Sequence, residues 1–282
     1  MAQADAQTAD GPTPAATPRD RTHDVGQLAD EAPDTMTLHT RDAFRLFLGR
    51  RSNAAGQVVS IAGGVRFAAT LKAIWYLSEN DNPYADWMLI RASAGVTNLR
   101  GQLATAIRER EAAIASLKQR GLALSVMASR SPKTVELGFR SPYGYATADL
   151  LVEYDYFVRM IKSLVLKDRM SDADGHAAIR QITRRIRTLF LEPIRWERYL
   201  FREVLRPLCR RDFLEGAGPE GEKRVAAAVA LFGELPREVL TGASAPRHTR
   251  RRVRPTEAEL RLLQQAPLTA ADPAALSEAE LI

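Results

Sequence analysis

Cysteine is almost missing from this chain: Cys209 is the only one among 282 residues. That excludes a disulfide framework and a cysteine-based zinc site. Histidine is scarce as well. His23, His39, His176 and His248 are all there are. Two lie in the terminal stretches, and none stands at i, i+4 from another ligand type. Metal binding and histidine-based catalysis therefore have no support, and no cofactor is expected. No apolar run approaches the ~20 residues of a membrane span, and no N-terminal apolar segment reads as a signal peptide. The simplest location is the cytoplasm.

Other catalytic signatures fail on inspection. Glu109 and Glu111 point to different sides of a helix and form no acid/base pair. A literal G-x-G-x-x-G occurs at Gly216, Gly218 and Gly221. A dinucleotide site needs a hydrophobic strand before the first glycine, and Arg210-Arg211-Asp212-Phe213-Leu214-Glu215 reads as a helix end, so this is a helix-to-helix loop. Trp75, Trp87 and Trp196 sit at helical positions, as core or interface anchors do. No enzyme is expected.

What the chain does have is helix-forming sequence and unevenly placed charge. Hydrophobic residues make up 45 %, enough for a sizeable core, and the net charge is +6. Met1–Asp34 holds two arginines and seven acids, whereas His176–Arg211 holds ten arginines against three glutamates. Residues 1–35 lack large apolar side chains and are expected to form a disordered acidic tail. Residues 241–282, basic first and acidic later, are expected to form a second tail, with a short helix around Glu257–Gln265 compatible with its leucines. Between them, 36–240 should be a helical domain.

Thr40 can cap a short helix through Phe44, Leu46 and Phe47 that Gly49 stops. Phe67, Leu71, Ile74 and Leu77 mark a second helix, ending before Asn82-Pro83. A long helix, in one piece or two, runs from Tyr84 to Arg120 with its stripe at Leu99, Leu103, Ile107, Ile114 and Leu117, and Arg108, Glu109, Arg110 and Glu111 on its wet face. Later helices are expected over Ile194–Leu214 and Glu222–Phe232.

The most distinctive stretch is a strand–helix–helix module at about 122–190. Val135, Leu137 and Phe139 alternate with polar neighbours, the period-two pattern of a half-buried strand over 134–140. Helices are expected near 146–170 and 172–190. Leu122, Leu124 and Val126 suggest a further strand, so the 134–140 strand either folds back on 122–128 as a hairpin or pairs with a second copy as a ribbon. A β-ribbon backed by two helices fits the DNA major groove.

Within this module Lys133, Thr134, Glu136 and Arg140 form the candidate outward face, with Arg140 suited to guanine or phosphate and Glu136 to cytosine N4. Gly138 can read nothing. The alternative is a core strand whose polar side faces water. On the second helix, Ile179, Ile182, Ile186 and Leu189 form a core stripe, while Arg180, Arg184 and Arg187 fall at i, i+4 and i+7 on another face. Three guanidiniums cannot neutralise one another, so they meet phosphates, water or glutamates from elsewhere. Ser171 and Asp174 form a capping-box-like start, and Asp172 and Asp174 would repel a phosphate there.

Several segments also resemble a known family. They are Ala85-Asp86-Trp87-Met88-Leu89, Met127-Ala128-Ser129-Arg130-Ser131-Pro132, Phe139-Arg140-Ser141-Pro142-Tyr143-Gly144 and Leu151-Val152-Glu153-Tyr154-Asp155-Tyr156. Together they resemble an integrating conjugative element protein family that is similar to the AcaB-like transcriptional activators. The resemblance spans about Met36 to Leu214. It implies a bacterial mobile-element protein, a ribbon-helix-helix regulator acting as a homodimer or homotetramer on duplex DNA. Two departures stand out: the first helix after the strand is about twice the usual length for that fold, and a large helical region precedes the strand. The expected fold is therefore mainly α with a short β-ribbon or hairpin. The rival is a non-enzymatic accessory protein that docks through its long Tyr84–Arg120 helix. Neither reading calls for a small-molecule substrate or a membrane.

Overall fold

The computed structural model describes residue 28 and residues 30–50, 60–249 and 251–268. Within these, the order is β1 (Thr35–Leu38), α1 (Arg41–Leu48), α2 (Gly64–Glu79), α3 (Pro83–Gln119), β2 (Lys133–Glu136), α4 (Pro142–Leu166), α5 (Asp172–Leu200), a 3₁₀ turn (Arg210–Phe213), α6 (Gly218–Phe232), α7 (Arg237–Leu240) and α8 (Glu257–Gln265). The chain is mainly helical with one two-stranded antiparallel sheet.

Helix ends follow local chemistry. The Thr40 hydroxyl accepts from the Ala43 N–H, and Gly49 closes α1 with a left-handed φ of 72° that a side chain would resist. The Asn82 side chain accepts from the N–H groups of Tyr84 and Ala85, and Pro83 takes the first turn, where a missing donor costs nothing. Ser171 caps α5 by accepting from the Asp174 N–H.

Helices α2, α3, α4 and α5 each touch the other three. Their apolar stripes meet in one core, with Phe67 stacked on Phe190 at 4.6 Å between centroids and Leu103, Leu151, Phe157 and Ile186 fully buried beside them. Along α3 nothing is buried beyond Leu103, so the second half of this helix packs only loosely. Arg110, expected on its wet face, instead lies half-buried with its guanidinium over the Phe157 ring.

Several expectations need correction. The strand ends at Glu136, short of residue 140, because its partner begins at Thr35, opposite Glu136, and later residues have nothing to pair with. That partner is β1 of the same chain. Residues 122–128 are not a strand and form no hairpin; they run extended along α4, where Ser163 accepts from the Met127 N–H and Arg159 donates to the Met127 carbonyl. Helix α4 starts at Pro142, not near 146, and ends at Leu166 before Asp168 turns left-handed (φ 54°). Helix α5 continues ten residues past 190, through Pro193. The helix expected over Ile194–Leu214 is therefore the end of α5, irregular turns and the 3₁₀ turn.

The terminal stretches also differ. The N-terminal tail expected over 1–35 lies mostly outside the described residues, and Thr35 itself opens β1. The tail expected from 241 is folded against the body as far as residue 268; only 269–282 and Arg250 fall outside the description. Leu263 of α8 is 1 % exposed, and Arg237 donates to the carbonyls of Leu263 and Ala266. Arg251 reaches the Asp86 carboxylate at 2.6 Å, and Arg252 pairs with Glu79 at 3.1 Å. Apolar patterning misses this segment because buried carboxylates hold it as well as apolar contacts.

Two buried polar centres organise the bundle. At the α2–α3 elbow, Arg210 is 1 % exposed and donates to Asp81, Asp86 and the carbonyls of Val239 and Leu240. On α4, Asp155 accepts from the N–H groups of His39 and Thr40 and from the Thr40 hydroxyl, tying the β1–α1 junction to the core. Replacing Asp155 by alanine leaves those amides without partners. The expected loss is about 3 kcal/mol, read from the urea midpoint. A change below ~1 kcal/mol would show that water replaces the carboxylate without cost.

Candidate nucleic-acid interface

The outward face of the ribbon is small and nearly neutral. Thr37 faces Thr134 with their hydroxyls 3.0 Å apart, and Thr35 faces Glu136. Met36 and Leu38 point inward and are buried, and the ribbon packs on α4 through β1. Lys133 is exposed at the first position of β2. Arg140 is exposed too, but it lies beyond the strand, just before the Ser141 cap of α4. The structure thus brings Thr134 and Glu136 together on one surface with Thr35 and Thr37, and places Arg140 off that surface. The ribbon offers hydroxyls and one carboxylate, a poor set of phosphate partners.

Helix α5 is different. Ile182, Ile186, Leu189 and Phe190 are buried, and Arg180, Arg184 and Arg187 are exposed on the opposite side. None of the three arginines makes a hydrogen bond or ion pair with a described residue. The glutamates of the same helix are drawn elsewhere. Glu192 accepts from Arg91 of α3 at 2.8 Å, and Glu197 accepts from Arg66 and Thr70 of α2 at 2.5 and 2.9 Å. Arg185, off the stripe, donates to Gln102 of α3 at 2.5 Å. Both glutamates of the helix are thus engaged on its flanks and not on the exposed face. The Asp172 and Asp174 side chains remain in the first turn, with Asp174 engaged by Ser171 at 2.6 Å, in the capping role.

Beneath this helix, the Tyr154 hydroxyl sits 2.6 Å from the Thr183 hydroxyl. Burial pushes its ionisation up to about 12, against the smaller pull of Thr183 and of the Arg187 charge. It stays neutral under any ordinary condition and acts as a packing group.

The exposed basic face of α5 is longer than 180–187. Because α5 runs to Leu200, the positions 191, 195 and 198 continue the spacing of 180, 184 and 187. At 100° per residue all six fall within an arc of about 80°. They are Leu191, which is 40 % exposed, and Arg195 and Arg198, both exposed and without a described partner. The spacing was visible in the sequence. Pro193 hid it, since proline usually ends a helix, although here it is buried within one and costs only the bond to the Leu189 carbonyl.

Nothing else gathers chemistry. Among the described residues no group of three or more His, Cys, Asp or Glu could hold a metal ion. A cavity of about 160 Å³ beside Cys209, Leu214, Val253, Pro255 and Leu263 is mostly apolar. The G-x-G-x-x-G glycines lie between the 3₁₀ turn and the first turn of α6, with no strand before them. No helix among the described residues is long and apolar enough to cross a membrane.

No curated protein matches the chain by sequence. One solved structure, the crystal structure of selenomethionine-containing AcaB from uropathogenic E. coli, is similar over 83 % of this chain and 96 % of its own, with 13 % identity and a TM-score of 0.44. The sequence profile of the family described as "Transcriptional regulator AcaB" matches residues 24–252. With most of its length covered by that profile, the chain belongs to the AcaB family of transcriptional regulators.

Proposed function

We propose that this protein is a DNA-binding transcriptional regulator of an integrative and conjugative element, non-enzymatic, acting as a dimer or higher oligomer. The observation that carries the reading is the uncompensated face of Arg180, Arg184 and Arg187. An exposed row of guanidiniums whose neighbouring carboxylates are all otherwise engaged is suited to phosphates. Membership of a family of transcriptional regulators supports the same partner. The order β2, α4, α5 is strand, helix, helix, the order a ribbon-helix-helix module would need, and β1 of the same chain pairs with its strand. Among the described residues each strand of this two-stranded sheet keeps one edge without a strand partner, and pairing there with a second copy would join protomers. Lys133, Thr134, Glu136 and Arg140 would then supply positioning and weak base contacts in addition to those of the arginine helix.

The test is binding of the chain to promoter DNA of its own element, followed by fluorescence anisotropy at several salt concentrations. Changing Arg180, Arg184 and Arg187 together to alanine should weaken binding by about 100-fold and flatten the salt dependence by about three phosphates. Stability should stay within ~0.5 kcal/mol per side chain, because all three are exposed and none has a hydrogen-bond or ion-pair partner among the described residues. If the triple variant binds like the parent, the arginines are a solvated face and the assignment is wrong.

One observation favours a second reading. The half of α3 from Thr105 to Gln119 has no buried residue and offers a helical docking surface. Failure to bind DNA even at about 50 mM salt would make the protein an accessory component that works through that surface.

A further inference from the structure

We infer that α5 lies across a groove of duplex DNA, with Arg195 and Arg198 holding phosphates of one strand while Arg180, Arg184 and Arg187 hold those of the other. This rests on the DNA reading above and adds to it the two unassigned arginines and an orientation.

The spacing along α5 carries the argument. Arg180, Arg184 and Arg187 are separated by rises of about 6 and 4.5 Å, and Arg195 and Arg198 by about 4.5 Å. Between the groups the helix rises about 12 Å, from residue 187 to residue 195. That gap matches the width of the major groove of B-DNA, ≈ 12 Å between its phosphate walls. A helix lying along a single strand would need evenly spaced cations, and this row is not even. The gap is occupied by Leu191, which is 40 % exposed on the same stripe. An apolar side chain has no role against a phosphate, so Leu191 falls in the row where the crossing geometry places no phosphate.

Charge supports the same surface. Glu192 and Glu197 lie beside the second group in sequence yet turn to Arg91 and Arg66. Arg195 and Arg198 therefore keep their full charge, although the local sequence alone would suggest i, i+3 and i+1 quenching. The whole row carries five positive charges, and neither glutamate of the 180–198 stretch lies on its stripe.

The experiment compares three proteins on a duplex of unrelated sequence: the full chain, Arg195→Ala/Arg198→Ala, and the Arg180/Arg184/Arg187 triple alanine. Affinity is read between about 50 and 200 mM salt. The double variant should lose roughly two units of the log–log salt slope, near 0.9 per phosphate, and bind about 10-fold or more weakly. Arg195→Lys/Arg198→Lys should keep the slope. Phosphate ethylation interference should show two clusters, one on each strand, and the double alanine variant should erase one of them.

The outcomes separate cleanly. A double variant with parental slope and both clusters intact overturns the inference while leaving the triple variant to judge the DNA reading. Two clusters on the same strand overturn the crossing geometry. Equal affinity for duplex RNA of the same length also overturns it, since side chains cannot enter the narrow major groove of the A-form helix.

Discussion

Arg210→Met is expected to destabilise the protein by about 3–5 kcal/mol, the largest loss from any single side chain here. The guanidinium is 1 % exposed and donates to Asp81 at 2.5 Å, to Asp86 at 2.7 Å and to two carbonyls of α7, Val239 and Leu240. Methionine fills similar volume, so the loss reports electrostatics and not a cavity. It leaves Asp81, 5 % exposed at the side chain, with no cation in contact. For a domain of this size the unfolding midpoint should fall by roughly 10 °C or more.

The loss should also depend on pH, in a direction fixed by Asp81. Burial holds its carboxyl above the ordinary value of 3.8, while Arg210 opposes this. A raised folded value means that protonation favours the folded state, a contribution present in acid and lost as pH rises through the folded value. Removing Arg210 takes away the main opposing influence and pushes the carboxyl further up. The deficit of the variant relative to the parent should therefore shrink as pH is lowered from neutral toward 3.8. Adding Asp81→Asn should recover part of the loss at neutral pH. A deficit under ~1 kcal/mol, or one that is flat with pH, would mean that water solvates the elbow.

Ending the chain after Thr249 should cost a comparable amount, on the order of 3–5 kcal/mol. The cut removes Arg251 from Asp86, whose side chain is 0 % exposed, and Arg252 from Glu79, at 6 %. It also removes α8, whose Leu263 fills a site against the 3₁₀ turn, and the two carbonyls that receive Arg237. Arg254→Ala is the control. That side chain is exposed and meets no described partner, so its loss should stay within ~0.5 kcal/mol. Denaturant titration of the three proteins decides it; a truncated chain as stable as the parent would return this segment to the status of a tail.

The sequence was most legible where structure is local. Thr40, Gly49, Asn82-Pro83 and Ser171 announce helix ends through bonds to residues three or four positions away, and all four act there as expected. The stripes of α2 and α5 show because a 3.6-residue period needs no knowledge of the partner. The same period gave Arg180, Arg184 and Arg187 as one exposed face, which the structure has, although the phosphates proposed for them are beyond either.

What stayed hidden is non-local. No pattern in Lys133–Glu136 says that its partner is Thr35–Leu38, and the alternation through Phe139 suggested a longer strand than a four-residue partner can hold. The arginines after residue 246 looked like a basic tail because composition cannot distinguish a solvated guanidinium from one aimed at a buried aspartate. The break expected between 190 and 194 falls inside α5, which runs through a buried Pro193.

The Arg251–Asp86 contact has a consequence in time. Its partners are 165 residues apart, and the threonines that face each other across the ribbon are 97 apart. During synthesis at about 5–20 residues per second, Asp86 waits roughly 10–30 s for its second cation. The bundle of α2 to α5 can collapse earlier, through contacts between successive helices. The elbow is completed late, against a large loop entropy. Early chains thus carry the arginine helix before Asp86 and Glu79 are neutralised, and Arg251 and Arg252, made after the whole bundle, complete the elbow.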